Sequence, residues 1–106
     1  MRAGDWLVVS GQLGLDDGVL VNGGVADQTR QALANMAALL KGEGAGGLSS
    51  VVKTTVYLRH MSDYAVMNDA YLGAFGDHRP ARAAVGVAGL PLNALVEIEA
   101  WAHLPQ

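Results

Sequence analysis

The sequence predicts a two-layer α+β domain: a mixed β-sheet with two helices on one face. Three observations predict it: apolar, β-branched runs with strand-like alternation, two stretches with helical periodicity, and the order strand, helix, strand, helix, strand, strand. Half of the 106 residues are apolar, and no repeat or linker divides them, so residues 1–106 read as one domain.

Asp5 to Leu15 (DWLVVSGQLGL) is a β-branched run ended by the turn signal Asp16-Asp17-Gly18, which predicts a strand followed by a loop that Gly23 and Gly24 close. From Val25 to about Glu43, Ala32, Met36, Leu39 and Leu40 recur at helical spacing, with Gln28, Gln31 and Asn35 on the other side. The glycines of GEGAGG, 42–47, stop this helix. Ser50 to Arg59 (SVVKTTVYLR) is the next strand. Strict alternation puts Val52, Thr54, Val56 and Leu58 on one face and Val51, Lys53, Thr55 and Tyr57 on the other. Ser62 or Asp63 can cap a second helix with Tyr64, Met67, Tyr71 and Phe75 along one stripe, ended by Gly76 and Pro80. Arg82 to Ala88 and Ala94 to His103 read as two strands joined by GLPLN, close enough in sequence for an antiparallel hairpin.

Composition excludes several classes of function. The net charge is -3, the pI is near 5.4, and the seven Lys and Arg residues are scattered, so no basic stripe offers itself to nucleic acid. Without cysteine there is no disulfide framework, thiolate nucleophile or cysteine metal site. His60, His78 and His103 stand at element ends without HxH or HExxH spacing, so no metal site is expected. The glycines at 42–47 lack the Lys-Ser/Thr of a phosphate loop. No signal peptide opens the chain and no apolar run approaches ~20 residues, which reads as a cytoplasmic protein without a membrane partner. Charged residues make up 16% of the chain against roughly 25% in typical domains, so self-association is expected to cover part of the surface.

The faces of the strands carry the functional reading. In the last strand Val96, Ile98, Ala100 and Ala102 alternate with Glu97, Glu99, Trp101 and His103, and the apolar set belongs under the helices. By the same alternation Ala83, Val85 and Val87 face the helices, leaving Arg82, Ala84 and Gly86 beside the two glutamates. In the first strand Leu7, Val9 and Leu13 take one side, and Trp6, Val8, Ser10 and Gln12 the other. The open face then combines an arginine, two carboxylates, Ser10 and Gln12 with indoles, alanines and valines. So apolar a sheet face is expected to meet other subunits.

SGQLG at 10–14, VVKTTVYL at 51–58, MNDAYLGAF at 67–75, PARAAV at 80–85 and VEIEA at 96–100 resemble, in order, the motifs of the RidA (YjgF-like) family of reactive intermediate imine deaminases. The resemblance implies a chorismate-mutase-like fold, a homotrimer, and intersubunit clefts that bind small 2-imino or 2-keto acids. It implies that Arg82 holds the substrate carboxylate and that Glu97, the first glutamate of VEIEA, positions or activates the attacking water. Ser10 and Gly11 match the segment whose backbone lines the cleft, and Asn68 matches an asparagine near it. At two points the chain departs from the family pattern. It begins just ahead of the SGQ strand, as a short, N-terminally truncated member would, and it has Ala84 where deaminase-type members often have cysteine. One wall of the site is therefore expected to differ, and the pocket at Ala84 to be wider and less polar.

The residue types suit this chemistry. A guanidinium donates two parallel hydrogen bonds to a carboxylate and stays charged. Imine hydrolysis needs water delivered to the C=N carbon and a proton moved to the departing nitrogen, which a carboxylate can assist without metal or cofactor. Alternation does not separate Glu97 from Glu99, which could exchange roles, and an intersubunit salt bridge is the structural alternative for Glu97. Two other functions remain: a trimeric module that binds a small carboxylic acid without catalysis, and a ribonuclease. An acidic chain with no basic groove and no paired histidines serves the ribonuclease poorly.

Overall fold

The first strands enter the sheet through a tight turn at Gly4, whose φ of +61° is the left-handed conformation glycine adopts freely. This turn pairs β1 (Arg2–Ala3) with β2 (Trp6–Leu13). The computed structural model describes residues 1–104, and the last two residues of the expected domain lie outside them. The turn signal at 16–18 closes a small separate hairpin of β3 (Leu15–Asp16) and β4 (Val19–Leu20). Asp17 and Gly18 both take positive φ there, the geometry of the tightest hairpin turns. Helix α1 (Val25–Gly42), β5 (Val51–Leu58), α2 (Tyr64–Phe75), β6 (Ala81–Gly86) and β7 (Val96–His103) follow.

The main sheet runs β1-β2-β7-β5-β6, with β5 and β6 parallel and every other pair antiparallel. The expected β6–β7 hairpin does not form. Helix α2 joins β5 to β6 as a parallel crossover, and residues 87–95, with one 3₁₀ turn at Pro91–Asn93, return the chain to the far side of β5. Leu33, Met36, Leu40, Val9, Val56, Leu58, Met67, Val96 and Ile98 are buried between sheet and helices. Burying each such side chain contributes roughly 1.5–3 kcal/mol relative to exposure. Among the described residues no helix is long and apolar enough to cross a membrane.

Strict alternation fails at two bulges. Opposite β7, Ser10 and Gly11 of β2 both face Glu99, because Val9 pairs with Ala100 and Gln12 with Ile98. The extra residue moves Gln12 to the helix side and Leu13 beside Glu97, the reverse of the expected sides. In β5 a second bulge lies between Val51 and Lys53, so Val51 is buried and Val52 exposed. Helix α1 also departs from its expected stripe: Leu39 is 40% exposed and Gln28 only 6%. Gln28 Oε1 accepts the Leu95 N–H at 2.9 Å, and Asn35 Nδ2 donates to the Leu13 and Leu15 carbonyls. Amides on the inner side of α1 therefore satisfy backbone groups that the irregular segments leave without sheet partners.

Candidate functional site

Arg82 lies on β6, the edge strand, where it pairs in register with Thr54 while Ala84 pairs with Val56. Thr54 and Val56 are buried under the helices, so Arg82 and Ala84 face α2. This corrects the alternation reading, which put both beside the glutamates. That reading assumed Ala83 and Val85 to be the inner residues because they are apolar, yet Ala83 and Val85 are exposed and Ala84 packs on the core. Three residues of α2 at helical spacing meet the guanidinium. Nη1 donates to Asn68 Oδ1 at 2.8 Å, Nη2 donates to the Tyr64 hydroxyl at 2.6 Å, and the guanidinium carbon lies 4.7 Å from the centre of the Tyr71 ring. Tyr71 is fixed from below by a 2.6 Å hydrogen bond to Thr54. Burial raises the Tyr71 phenol's pKa, against the opposing effects of the Thr54 bond and the positive charges of Arg82 and Arg79. All of Arg82's contacts are thus neutral. Among the described residues the one ion pair is Arg30–Asp27, within α1, and Arg82 has no carboxylate partner. A half-buried cation without a counter-ion favours an incoming anion.

The carboxylates occupy the other face of the sheet. Glu97 stands on β7 opposite Leu13 and Tyr57. Its side chain lies across the α-carbon of Gly11: a Cβ built there would fall 2.1 Å from Glu97 Oε1. The bulge at Ser10 and Gly11 therefore turns a bare backbone toward this carboxylate. Glu99 is engaged differently, accepting the Tyr57 hydroxyl at 2.6 Å. That bond, then partial desolvation and the negative charges of Glu99 and Glu97, raise the Tyr57 phenol's pKa. Glu97 has no such partner among the described residues. The two glutamates that alternation could not separate are thus distinguished by Tyr57 and Gly11. The residues expected to form one site fall into two groups, Arg82, Asn68 and Ala84 on the helix side and Ser10, Gly11 and Glu97 toward the open face.

Comparison with known proteins bears on this arrangement. Residues 1–104 match the family model described as Endoribonuclease L-PSP, and the human 2-iminobutanoate/2-iminopropanoate deaminase is 46% identical over 98 residues, 91% of this chain and 71% of that protein. The chain belongs to the RidA (YjgF-like) family. A RutC family protein of Pyrococcus horikoshii is 46% identical over 105 residues, 97% of this chain and 82% of its own length. The solved structure of RidA from an Antarctic Psychrobacter superposes with a TM-score of 0.92 at 37% identity, covering 98% of this chain and 85% of that one. The mixed sheet with two helices on one face is thus the fold of the RidA family.

Two tyrosines of this RidA-family chain take part in ways that sequence reading missed. In the sequence Tyr64 and Tyr71 stand only as members of one stripe of α2 with the apolar Met67 and Phe75. The available signal was the polar Asn68 between them, at i+4 from Tyr64 and i−3 from Tyr71, which aligns three groups on one side of the helix. Tyr57 alternates with buried residues on β5, and its hydroxyl needed a cross-strand acceptor that only the β5–β7 register supplies. The histidines do not converge: His78 bonds the Val51 carbonyl through Nε2 at 2.6 Å, and the described residues hold no group of three metal-ligating side chains. An open groove of about 640 Å³ between the helices, lined by Ala26, Arg30, Val66, Asp69, Ala70, Gly73 and Ala74, contains none of the expected site residues.

Proposed function

We propose that this protein hydrolyses reactive 2-imino acids to 2-keto acids and ammonia, in clefts between copies of itself. The observation that carries the reading is Arg82, a half-buried cation held by Asn68, Tyr64 and Tyr71 with no acid of its own. The substrate carboxylate supplies the missing negative charge and fixes the adjacent C=N group. Water adds through oxygen to the imine carbon, and Glu97 takes its proton and passes it to the nitrogen. Glu97 then carries the hydroxyl proton of the resulting carbinolamine to its amino nitrogen, the C–N bond breaks as the C=O bond forms, and ammonia leaves. Because Arg82 and Glu97 occupy opposite faces of one sheet, a single small substrate reaches both only across two copies. One copy supplies Arg82, Asn68 and Ala84, and a neighbour supplies Glu97 with the backbone of Ser10 and Gly11. The open face supports such a contact. Trp6, Val85 and Trp101 remain 38%, 42% and 48% exposed there, with Trp6 and Trp101 packed edge to face at 6.1 Å. A homotrimer is the assembly the family resemblance implies. The ribonuclease wording of the family model finds no support in a chain of net charge -3.

Keto-acid release from an enzymatically generated 2-imino acid tests the reading. The protein should accelerate it, and Arg82→Ala should lower kcat/KM by about a hundredfold or more, since hydrogen bonds to a charged group contribute roughly 1.5–3 kcal/mol each. No acceleration across several imino acids overturns it, and saturable keto-acid binding without turnover would identify a binding module instead.

A further inference from the structure

We propose that Tyr64 is a carboxylate-anchoring residue, donating its phenolic proton to the substrate acid beside Arg82. This rests on the reading of Arg82 just given and adds a second anchor to it. Arginine has donors only, so in the 2.6 Å contact between Nη2 and the Tyr64 oxygen the phenol is the acceptor. Its own proton must then point elsewhere, and among the described residues no acceptor takes it. Asn68 is in the same position: its Oδ1 accepts from Nη1 at 2.8 Å, and its amide N–H groups are left to donate.

The guanidinium spends two of its five N–H groups on these neighbours. What the niche presents is therefore a set of donors, the remaining guanidinium N–H groups, an amide and a phenol, while the Asn68 and Tyr64 oxygens already accept from the guanidinium. Such a set fits the two oxygens of a carboxylate. An oxygen bound to the second N–H of Nη2 lies next to the phenol, which turns its free proton toward it. Tyr64 also holds its place without the ligand, because it stands one turn from Asn68 on α2 and its ring centre lies 5.5 Å from the guanidinium carbon. The carboxylate does not change in the reaction, so this bond acts equally on ground state and transition state and belongs in KM rather than kcat.

The test compares wild type, Tyr64→Phe and Arg82→Ala in binding and turnover. Tyr64→Phe should weaken 2-oxobutanoate, measured by calorimetry, about tenfold, as expected for one hydrogen bond to a charged group. Its KM should rise in parallel, with kcat within about twofold of wild type. Binding of 2-oxobutanamide, which has no carboxylate, should not change between wild type and Tyr64→Phe, whereas a general packing role would weaken both ligands. Unchanged affinity for 2-oxobutanoate, an equal loss for the amide, or a fall in kcat at constant KM overturns the assignment. If Arg82→Ala also binds like wild type, the carboxylate site itself is misplaced. If Arg82→Ala loses binding and Tyr64→Phe does not, only the phenol is wrongly assigned.

Discussion

Gly11 shows how one missing side chain shapes this site. A Cβ there would fall 2.1, 2.7 and 2.9 Å from Oε1, Cδ and Cγ of Glu97, so an alanine requires the whole Glu97 side chain to swing away about its Cα–Cβ bond. Gly11→Ala should fold normally, with a melting temperature within a few degrees of wild type, yet lose activity by about tenfold or more, because a general base must stay within hydrogen-bond reach of its proton. Imine turnover and a thermal melt on the same sample check both halves. Full activity would mean that the contact with Gly11 does not set the working position of Glu97. At this scale the sequence offers the candidates by residue type, an arginine for an acid and a carboxylate for water, and the function proposed above uses them in those roles. The partners that tune them, Tyr64 for Arg82 and Tyr57 for Glu99, were not readable, since each hydroxyl meets its partner only after helix α2 and the β5–β7 register are in place.

At the scale of elements, local patterns identified both helices and all the long strands, because 3.6- and 2-residue periods are local properties of the chain. Pairing was less accessible. A hairpin between β6 and β7 was plausible from their short connection, yet β6 runs parallel to β5 because α2 carries the chain back over the sheet. Alternation was projected through Ser10–Gly11 and Val51–Val52, and each bulge reverses the side of what lies beyond it. In α1 polarity alone places the amides Gln28 and Asn35 outward, whereas the structure turns them inward to bond loop backbone. Gln28 gives this a measurable form. Gln28→Leu keeps the volume but leaves the Leu95 N–H without its acceptor, and should cost about 1–3 kcal/mol in denaturant unfolding, the penalty for leaving a buried donor unpaired. A loss well below that would mean that the Leu95 segment finds another partner.

At the scale of the whole molecule, the position of Arg82 on the helix side decides how the proposed site can be built. With both groups on one face, a single chain could have met the substrate alone; with the sheet between them, the site proposed above has to be completed by a neighbour. Subunit mixing separates these cases. Arg82→Ala and Glu97→Gln homo-oligomers should each be nearly inactive. After the two are denatured together and refolded at equal ratio, a cleft is intact when its Arg82 comes from a Glu97→Gln subunit and its Glu97 from an Arg82→Ala subunit. Random assembly in a closed ring makes that combination about one cleft in four, so about a quarter of wild-type activity should return. Mixing folded oligomers without denaturation should restore less, to the extent that subunits exchange slowly. If Arg82 and Glu97 of the same chain served one substrate, every cleft in the mixture would carry a defect, and no activity would return at any ratio.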